Sequence, residues 1–435
     1  MPDNSKVSGL TVTRELNESD LFYVVHNGNS NAITKSDLAN QLMGGVADYY
    51  GMIIHQNVSN PSQGKVDYIG INANFTPMSF DFSNNNTFSM GSWGSMPTIV
   101  KNVPAMVNTN GTLDYYLDPT DYSKKIDGVT ASDVDNLSYD GNAFAWFEPI
   151  WMSIKAVGDD IEVRFAYSKL DDDYFEVCPQ GCGVWLPMFY GYADGSSAAT
   201  AKMRSIAGTN ECGAQTGNTD VASQKTSISN NGSNYFFYGG KLAQCISLLR
   251  VMWFKSTNSE TAGKGNQNGY NASAADGRYG TLSNPIVSGG QFVGTNDGQS
   301  ANKFLHCLTL ATYDVSARDP YTLCVNGEYK VSKDYTYDVS GATLETTGVL
   351  APDDQYIKTM AVIPEFGLLP KETGGSSSTY YCDIFWINKT ITAVALHFGV
   401  CRSGARDGGW YLTCNGPAST SYWDCGCALC LKQSV

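Results

Sequence analysis

Apolar and polar positions alternate most cleanly in WMSIKAVGDDIEVRFAYS, residues 151–168. Ile161, Val163, Phe165 and Tyr167 are separated by Glu162, Arg164 and Ala166, and Gly158-Asp159-Asp160 interrupts the run. Period two on both sides of a turn predicts a hairpin with one buried face. KLAQCISLLRVMWF (241–254) has a different period. Leu242, Cys245, Ile246, Leu249 and Trp253 recur at spacings of three and four, which predicts a helix with one apolar face. ITAVALHFGV (391–400) and the closing CALCL (427–431) read as strands. Near the start, ESDLFYVVHNG (18–28) places an apolar strand, Leu21 to Val25, before an Asn27-Gly28 turn. ITKSDLANQL follows, with Thr34 as helix cap and Asp37 three residues on.

These elements divide the chain into three. Residues 1–45 form a small N-terminal attachment module, which buries too little to stand alone and must pair with other chains or a partner. Residues 46–137 are polar and turn-rich, with SNNNT (83–87), PTIVKNVPAMV (97–107) and LDYYLDPTDYSKK (113–125), and read as a β-rich connecting region. The patterning strengthens over 138–435. The Gly/Asn/Ser stretch 255–302 reads as an ordered loop within that part, since both flanks look like pieces of one core. No repeat of solenoid length is evident. The expected class is α+β.

Composition narrows the functions. The 435 residues are 42% hydrophobic, enough for a sizeable core, and 44 glycines with 26 tyrosines favour strands joined by turns and loops. With 28 basic and 42 acidic side chains the net charge is −14, which repels phosphate backbones and argues against a nucleic-acid partner. No run of ~18 apolar residues is present to insert in a membrane, and MPDNSKVSGLTVTREL lacks the order of a secretory signal. The twelve cysteines then read as buried or free thiols rather than a disulfide framework.

Candidate chemistry is thin. Cys178-Pro-Gln-Gly-Cys182 and Cys425-Gly-Cys427-Ala-Leu-Cys430 lack the paired knuckles of a zinc site, and only four histidines exist. His397 lies in an apolar strand, as a satisfied core histidine would. Asp171-Asp172-Asp173 offers no loop of alternating calcium ligands and reads as a solvated turn. GxSxG, HExxH and phosphate-cradling glycine loops are missing. No catalytic residue, metal or cofactor is expected, and the chain is not expected to be an enzyme.

The informative segment is GARDGGWYLTCNGPASTSYWDCGCALCL (404–431). Trp410-Tyr411-Leu412, Trp423 and Gly426 to Leu431 are short anchors. Between and before them the residues vary freely in character: Arg402, Arg406, Asp407, Thr413, Asn415, Gly416, Thr420, Tyr422 and Asp424. A binding loop needs that arrangement, because anchors fix the backbone while the remaining side chains are released from packing. Tyr, Ser, Gly and Asn also suit adaptable contact surfaces. The alternative on residue patterning alone is an irregular C-terminal meander.

At these residues the chain resembles the variable proteins of diversity-generating retroelements. Their closing region commonly looks like GGSWNDGANAG, FYLNLNN and AASNSNWNIGxRL; here FGVCRSGARDGG (398–409), WYLTCNG (410–416) and PASTSYWDCGCALCL (417–431) take those places. Gly399, Gly404, Gly408, Tyr411, Leu412, Ser419, Ser421, Trp423, Gly426 and Leu429 fall at frame positions. Arg402, Arg406, Thr413, Gly416, Thr420, Tyr422 and Asp424 fall where the family template carries asparagine, with Asn415 as an unrewritten copy. Cys401 stands at the first tryptophan position, and Cys427 or Ala428 at the arginine near the end. KMRSIAG (202–208) and GLLPKETGGSSSTYYCDIFW (367–386) look like parts of lectin-fold domains in phage tail and fibre proteins, and NESDLFYVVHNGNSNAITKSDLANQL (17–42) is similar to their attachment modules.

The resemblance implies a C-terminal C-type lectin fold of the formylglycine-generating-enzyme type, without that enzyme's chemistry. It also implies a homotrimer in a phage virion, on a tail or head fibre, held to other virion proteins by the N-terminal module. Its diversified site would bind a bacterial surface protein or glycan. The alternative is a head-fibre or decoration protein that binds no receptor.

Overall fold

In the computed structural model, strands take up 44% of the chain and helices 11%, so the architecture is α+β in the broad sense and dominated by sheet. The structure describes residues 21–26, 29–34, 48–81, 87–195, 197, 199–207, 220–262, 316–397, 408–421 and 425–434. It separates into Met1–Asp48 and Tyr49–Val435. In the first unit, strands Leu21–His26 and Asn29–Thr34 pair antiparallel, with His26 opposite Asn29. The expected Asn27-Gly28 turn and the helix after Thr34 lie outside the described residues.

Among the described residues, the second unit has three large sheets. One has five strands, in the order Phe175–Glu176, Trp151–Val157, Asp160–Ala166, Tyr50–His55 and Val66–Gly70. The predicted hairpin is its centre. Met152 faces Phe165 and Ile154 faces Val163 across the pair, and Gly158 turns the chain with φ +62°. Ile161, Val163 and Phe165 are fully buried while Glu162 and Arg164 form an ion pair on the other face, as the alternation predicts. A seven-stranded sheet runs Tyr235–Phe237, Leu429–Ser434, Cys182–Pro187, Gly141–Phe147, Pro104–Asn108, Leu113–Asp118 and Asp121–Lys125. The closing apolar run is therefore a strand, beginning at Leu429 rather than Cys427.

The expected boundary between a connecting region at 46–137 and a domain at 138–435 does not exist. Tyr50–His55 pairs with Asp160–Phe165, and Pro104–Asn108 pairs with Gly141–Ala145, so both stretches share the same sheets. Local periodicity marks strands but not their partners, and here the partners lie across the expected boundary.

The nine-stranded sheet runs Glu345–Leu350, Glu328–Val331, Ser316–Val325, Thr392–His397, Leu412–Cys414, Ile384–Ile387, Gln355–Ile363 and Gly367–Thr373, with Cys425–Gly426 beside Ser316–Ala317. Helix Gly240–Phe254 forms where the 3.6-residue period predicts, but all fifteen residues are buried, not one face. Three of its polar members bond to backbone from other elements, while both Nη atoms of Arg250 are buried without a hydrogen-bond partner among the described residues. Lys241 Nζ donates to Glu176 O at 2.8 Å, Gln244 Oε1 accepts from Leu368 N at 3.1 Å, and Ser247 Oγ donates to Gly409 O at 3.2 Å. At the helix start a Cβ on Gly239 would lie 2.5 Å from Asp319 Oδ1, so only glycine permits that approach.

Candidate functional site

The C-terminal segment is held from below at Gly408–Trp410. Asp383, 1% exposed, accepts from Trp410 N at 2.7 Å and from Ser259 Oγ at 3.0 Å. The residues before it are shaped to present it: Tyr380 and Cys382 both adopt positive φ, +60° and +64°, and the Tyr381 ring meets the Trp410 ring edge-on at 5.6 Å. Arg250 of the central helix is 2% exposed and packs against the backbone of Gly409, where a Cβ would approach its Nη2 to 2.6 Å. Under the same segment, Lys65 donates to Gln56 O at 3.1 Å and Val58 O at 2.9 Å, with the Tyr380 and Tyr381 rings about its ammonium at 5.3 and 5.2 Å. Burial brings its pKa down to about 8, against the smaller upward pull of Cys382 and Asp160.

Beyond strand Leu412–Cys414 the chain turns, and three carbonyls of the turn are taken by three separate elements. Gly416 O accepts from Val394 N at 3.1 Å, Ala418 O from Val221 N at 3.0 Å, and Thr420 O from Arg318 Nη2 at 2.6 Å. The even-numbered residues thus face the body of the protein. Gly416, Ala418 and Thr420 are half-buried, while Asn415, Pro417, Ser419 and Ser421 are exposed. The result is a rigid rim with short polar side chains outward.

The predicted site residues divide accordingly. Asn415 is displayed, and Gly416 and Thr420 are half-buried beside it, with a Cβ at Gly416 approaching Thr420 Oγ1 to 2.9 Å. Thr413 is a correction: it is 5% exposed, locked in a strand opposite Trp386 and Leu396, and presents nothing to solvent. Ser419 and Ser421, expected as frame, are instead on the outside, because the carbonyl anchors fix which residues of the turn point inward. Arg402, Arg406, Asp407, Tyr422 and Asp424 lie outside the described residues.

Arg318, Asp383 and Arg250 were not anticipated. Arg318-Asp319 inside the apolar run SARDPYTLCV was the available signal, since adjacent charges in a buried strand require partners. Asp319 receives Tyr321 N at 2.9 Å and Thr322 Oγ1 at 2.7 Å, and it faces His397 Nε2 at 2.9 Å. His397, 7% exposed, is the satisfied core histidine the sequence predicts.

Among the described residues no three His, Cys, Asp or Glu side chains are placed to hold a metal. Asp171, Asp172 and Asp173 are exposed on a turn, Asp172 paired with Lys169 and Asp173 with Lys155. Burial pushes the Cys178 and Cys427 thiols up to about 12, and those of Cys245 and Cys414 well above their ordinary value. None of these four supplies a thiolate at neutral pH. No described helix is long and apolar enough to cross a membrane.

One histidine titrates between structural elements. His55 Nδ1 meets Asp160 Oδ2 at 2.8 Å and Nε2 meets Asp67 Oδ2 at 3.1 Å, tying together three strands of the five-stranded sheet. Burial alone would lower its pKa, but the hydrogen bonds to Asp160 and Asp67 outweigh it and the net shift is upward from 6.5. A raised base stabilises the fold below its unfolded pKa and loses that contribution as pH rises through the folded value. The stability advantage of wild type over His55→Gln, from urea midpoints, is therefore expected to be greatest near pH 5.5 and to shrink steadily toward pH 8.5. An advantage constant over that range would contradict the assignment.

No family model matches the chain, and no curated protein matches it.

Proposed function

We propose that the chain is a non-enzymatic receptor-binding protein of a phage virion, a tropism determinant of the retroelement-diversified type. In this reading its C-terminal part has the C-type lectin fold and its closing segment displays exchangeable side chains toward a bacterial surface protein or glycan. One observation carries the reading: the turn Gly416–Ser421 is anchored to three separate elements through its backbone carbonyls, at Gly416 O, Ala418 O and Thr420 O. Carbonyl anchors are indifferent to side-chain identity, so residues at exposed positions can change without unfolding the support. That is the requirement of a diversified site. The N-terminal module would join three copies and attach them to other virion proteins, and trimeric display would raise a weak contact to useful avidity.

Two measurements test it. Purified full-length protein should bind cells of some strains in a bacterial panel, and the double variant Asn415→Ala, Ser419→Ala should weaken that binding roughly fivefold to tenfold with an unchanged melting temperature. Each lost contact is worth about 1 kcal/mol at most. Binding to phage capsids and to no strain would instead favour a decoration protein. The flanking DNA gives an independent answer: the reading requires a near-identical template repeat, differing at adenines, beside a reverse-transcriptase gene.

A further inference from the structure

Deamidation of an asparagine begins when the backbone nitrogen of the next residue attacks the side-chain carboxamide. Glycine in that place offers no Cβ to obstruct the approach. Whether an Asn-Gly pair reacts then depends on how freely the peptide group between the two residues can turn. Among the described residues the chain has four such pairs, Asn110-Gly111, Asn231-Gly232, Asn326-Gly327 and Asn415-Gly416.

Three are held by hydrogen bonds. The Asn110 carboxamide oxygen accepts from Thr112 N at 2.9 Å, and Gly111 N donates to Asn108 O at 2.8 Å. Asn231 is 7% exposed, its Nδ2 donates to Met203 O at 2.8 Å, and Gly232 N donates to Ser229 O at 2.9 Å. Asn326 and Gly327 make the tight turn between Ser316–Val325 and Glu328–Val331, with φ +51° and +85°, and the Gly327 amide is bonded to Cys324.

The fourth pair differs at every atom the reaction uses. Asn415 is exposed, and among the described residues its carboxamide, its carbonyl oxygen and Gly416 N have no hydrogen-bond partner. The groups on either side are fixed: Cys414 O accepts from Asn388 N at 3.0 Å, and Gly416 O accepts from Val394 N at 3.1 Å. The peptide group between these anchors can therefore rotate as a unit, changing ψ of Asn415 and φ of Gly416 while both anchors stay. Glycine tolerates the new φ. That rotation carries Gly416 N toward the Asn415 carboxamide carbon.

We propose that Asn415 is a site of spontaneous deamidation in the folded protein. Gly416 N gives its proton to solvent base and bonds to Asn415 Cγ; the Cγ–Nδ2 bond breaks and ammonia leaves, its added proton coming from water. Water then opens the cyclic imide at either carbonyl, which leaves aspartate or isoaspartate. Either product puts a carboxylate at an exposed position beside Pro417, so the rim gains negative charge as the protein ages. The reaction does not depend on the receptor reading.

The test holds full-length protein at pH 8.5, digests samples over time and reads conversion at each asparagine by mass spectrometry. In the native protein Asn415 should convert at least fivefold faster than Asn110, Asn231 or Asn326, the factor for breaking an ordinary hydrogen bond before attack. In guanidinium chloride the four rates should converge, with the three held sites accelerating and Asn415 changing little. Gly416→Ala should slow conversion at Asn415 at least tenfold, because its Cβ crowds the attacking nitrogen. Equal native rates at the four sites, or an Asn415 rate that rises in denaturant as much as the others, would overturn the proposal. So would a Gly416→Ala variant that deamidates as fast as wild type.

Discussion

Gly408→Ala is expected to destabilise the protein by about 3 kcal/mol, the upper part of the range for overpacking a rigid site. The added Cβ would lie 1.6 Å from Ser259 Oγ and 2.6 Å from Asp383 Oδ1. Rotating Ser259 relieves the first contact but breaks its hydrogen bond to Asp383, and the second contact remains because Trp410 N holds that carboxylate at 2.7 Å. Moving the backbone outward instead pulls Gly409 O away from its buried donor, Ser247 Oγ at 3.2 Å. Every escape costs a buried polar contact. Gly416→Ala provides the contrast: the nearest atom to its Cβ is Oγ1 of the half-buried Thr420 at 2.9 Å, which can rotate away, and a change within about 0.5 kcal/mol is expected. Urea midpoints at constant m-value measure both, and the account of the anchor is wrong if the two variants shift alike.

That contrast marks what the sequence discloses and what it hides. The hairpin at 151–166 is legible because both strands and their turn are contiguous and the buried face repeats every second residue. Helix Gly240–Phe254 is legible in type but not in burial, since Lys241, Gln244 and Ser247 are taken inside by partners at Glu176, Leu368 and Gly409. The pairing of Tyr50–His55 with Asp160–Phe165 leaves no local trace. At the candidate site the anchoring aromatics Trp410 and Tyr411 are readable as an apolar cluster, and both are buried. Which side each turn residue faces is not readable, because the donors that decide it, Val394, Val221 and Arg318, come from three distant elements. Hence Ser419 faces out, and Thr413 lies in the core.

Arg318→Met is expected to separate support from display. On the receptor-binding reading it should reduce cell binding tenfold to a hundredfold while moving the free energy of unfolding by less than about 1.5 kcal/mol. Arg318 is 3% exposed, and its Nη1 is buried with no hydrogen-bond partner, so the charge is costly where it sits. Exchanging a buried charge for an apolar side chain of similar size is often close to neutral for stability. What disappears is the bond to Thr420 O, and a hydrogen bond from a charged donor contributes about 1.5–3 kcal/mol. If that energy must be spent re-ordering the turn each time ligand binds, affinity falls by about the factor stated. The anchors at Gly416 O and Ala418 O remain, so the loosening is confined to the Thr420–Ser421 end. Amide exchange should therefore quicken at Ser421 and stay slow at Cys414. Cell binding that falls only in proportion to the unfolded fraction would mean that Arg318 supports the core and not the turn.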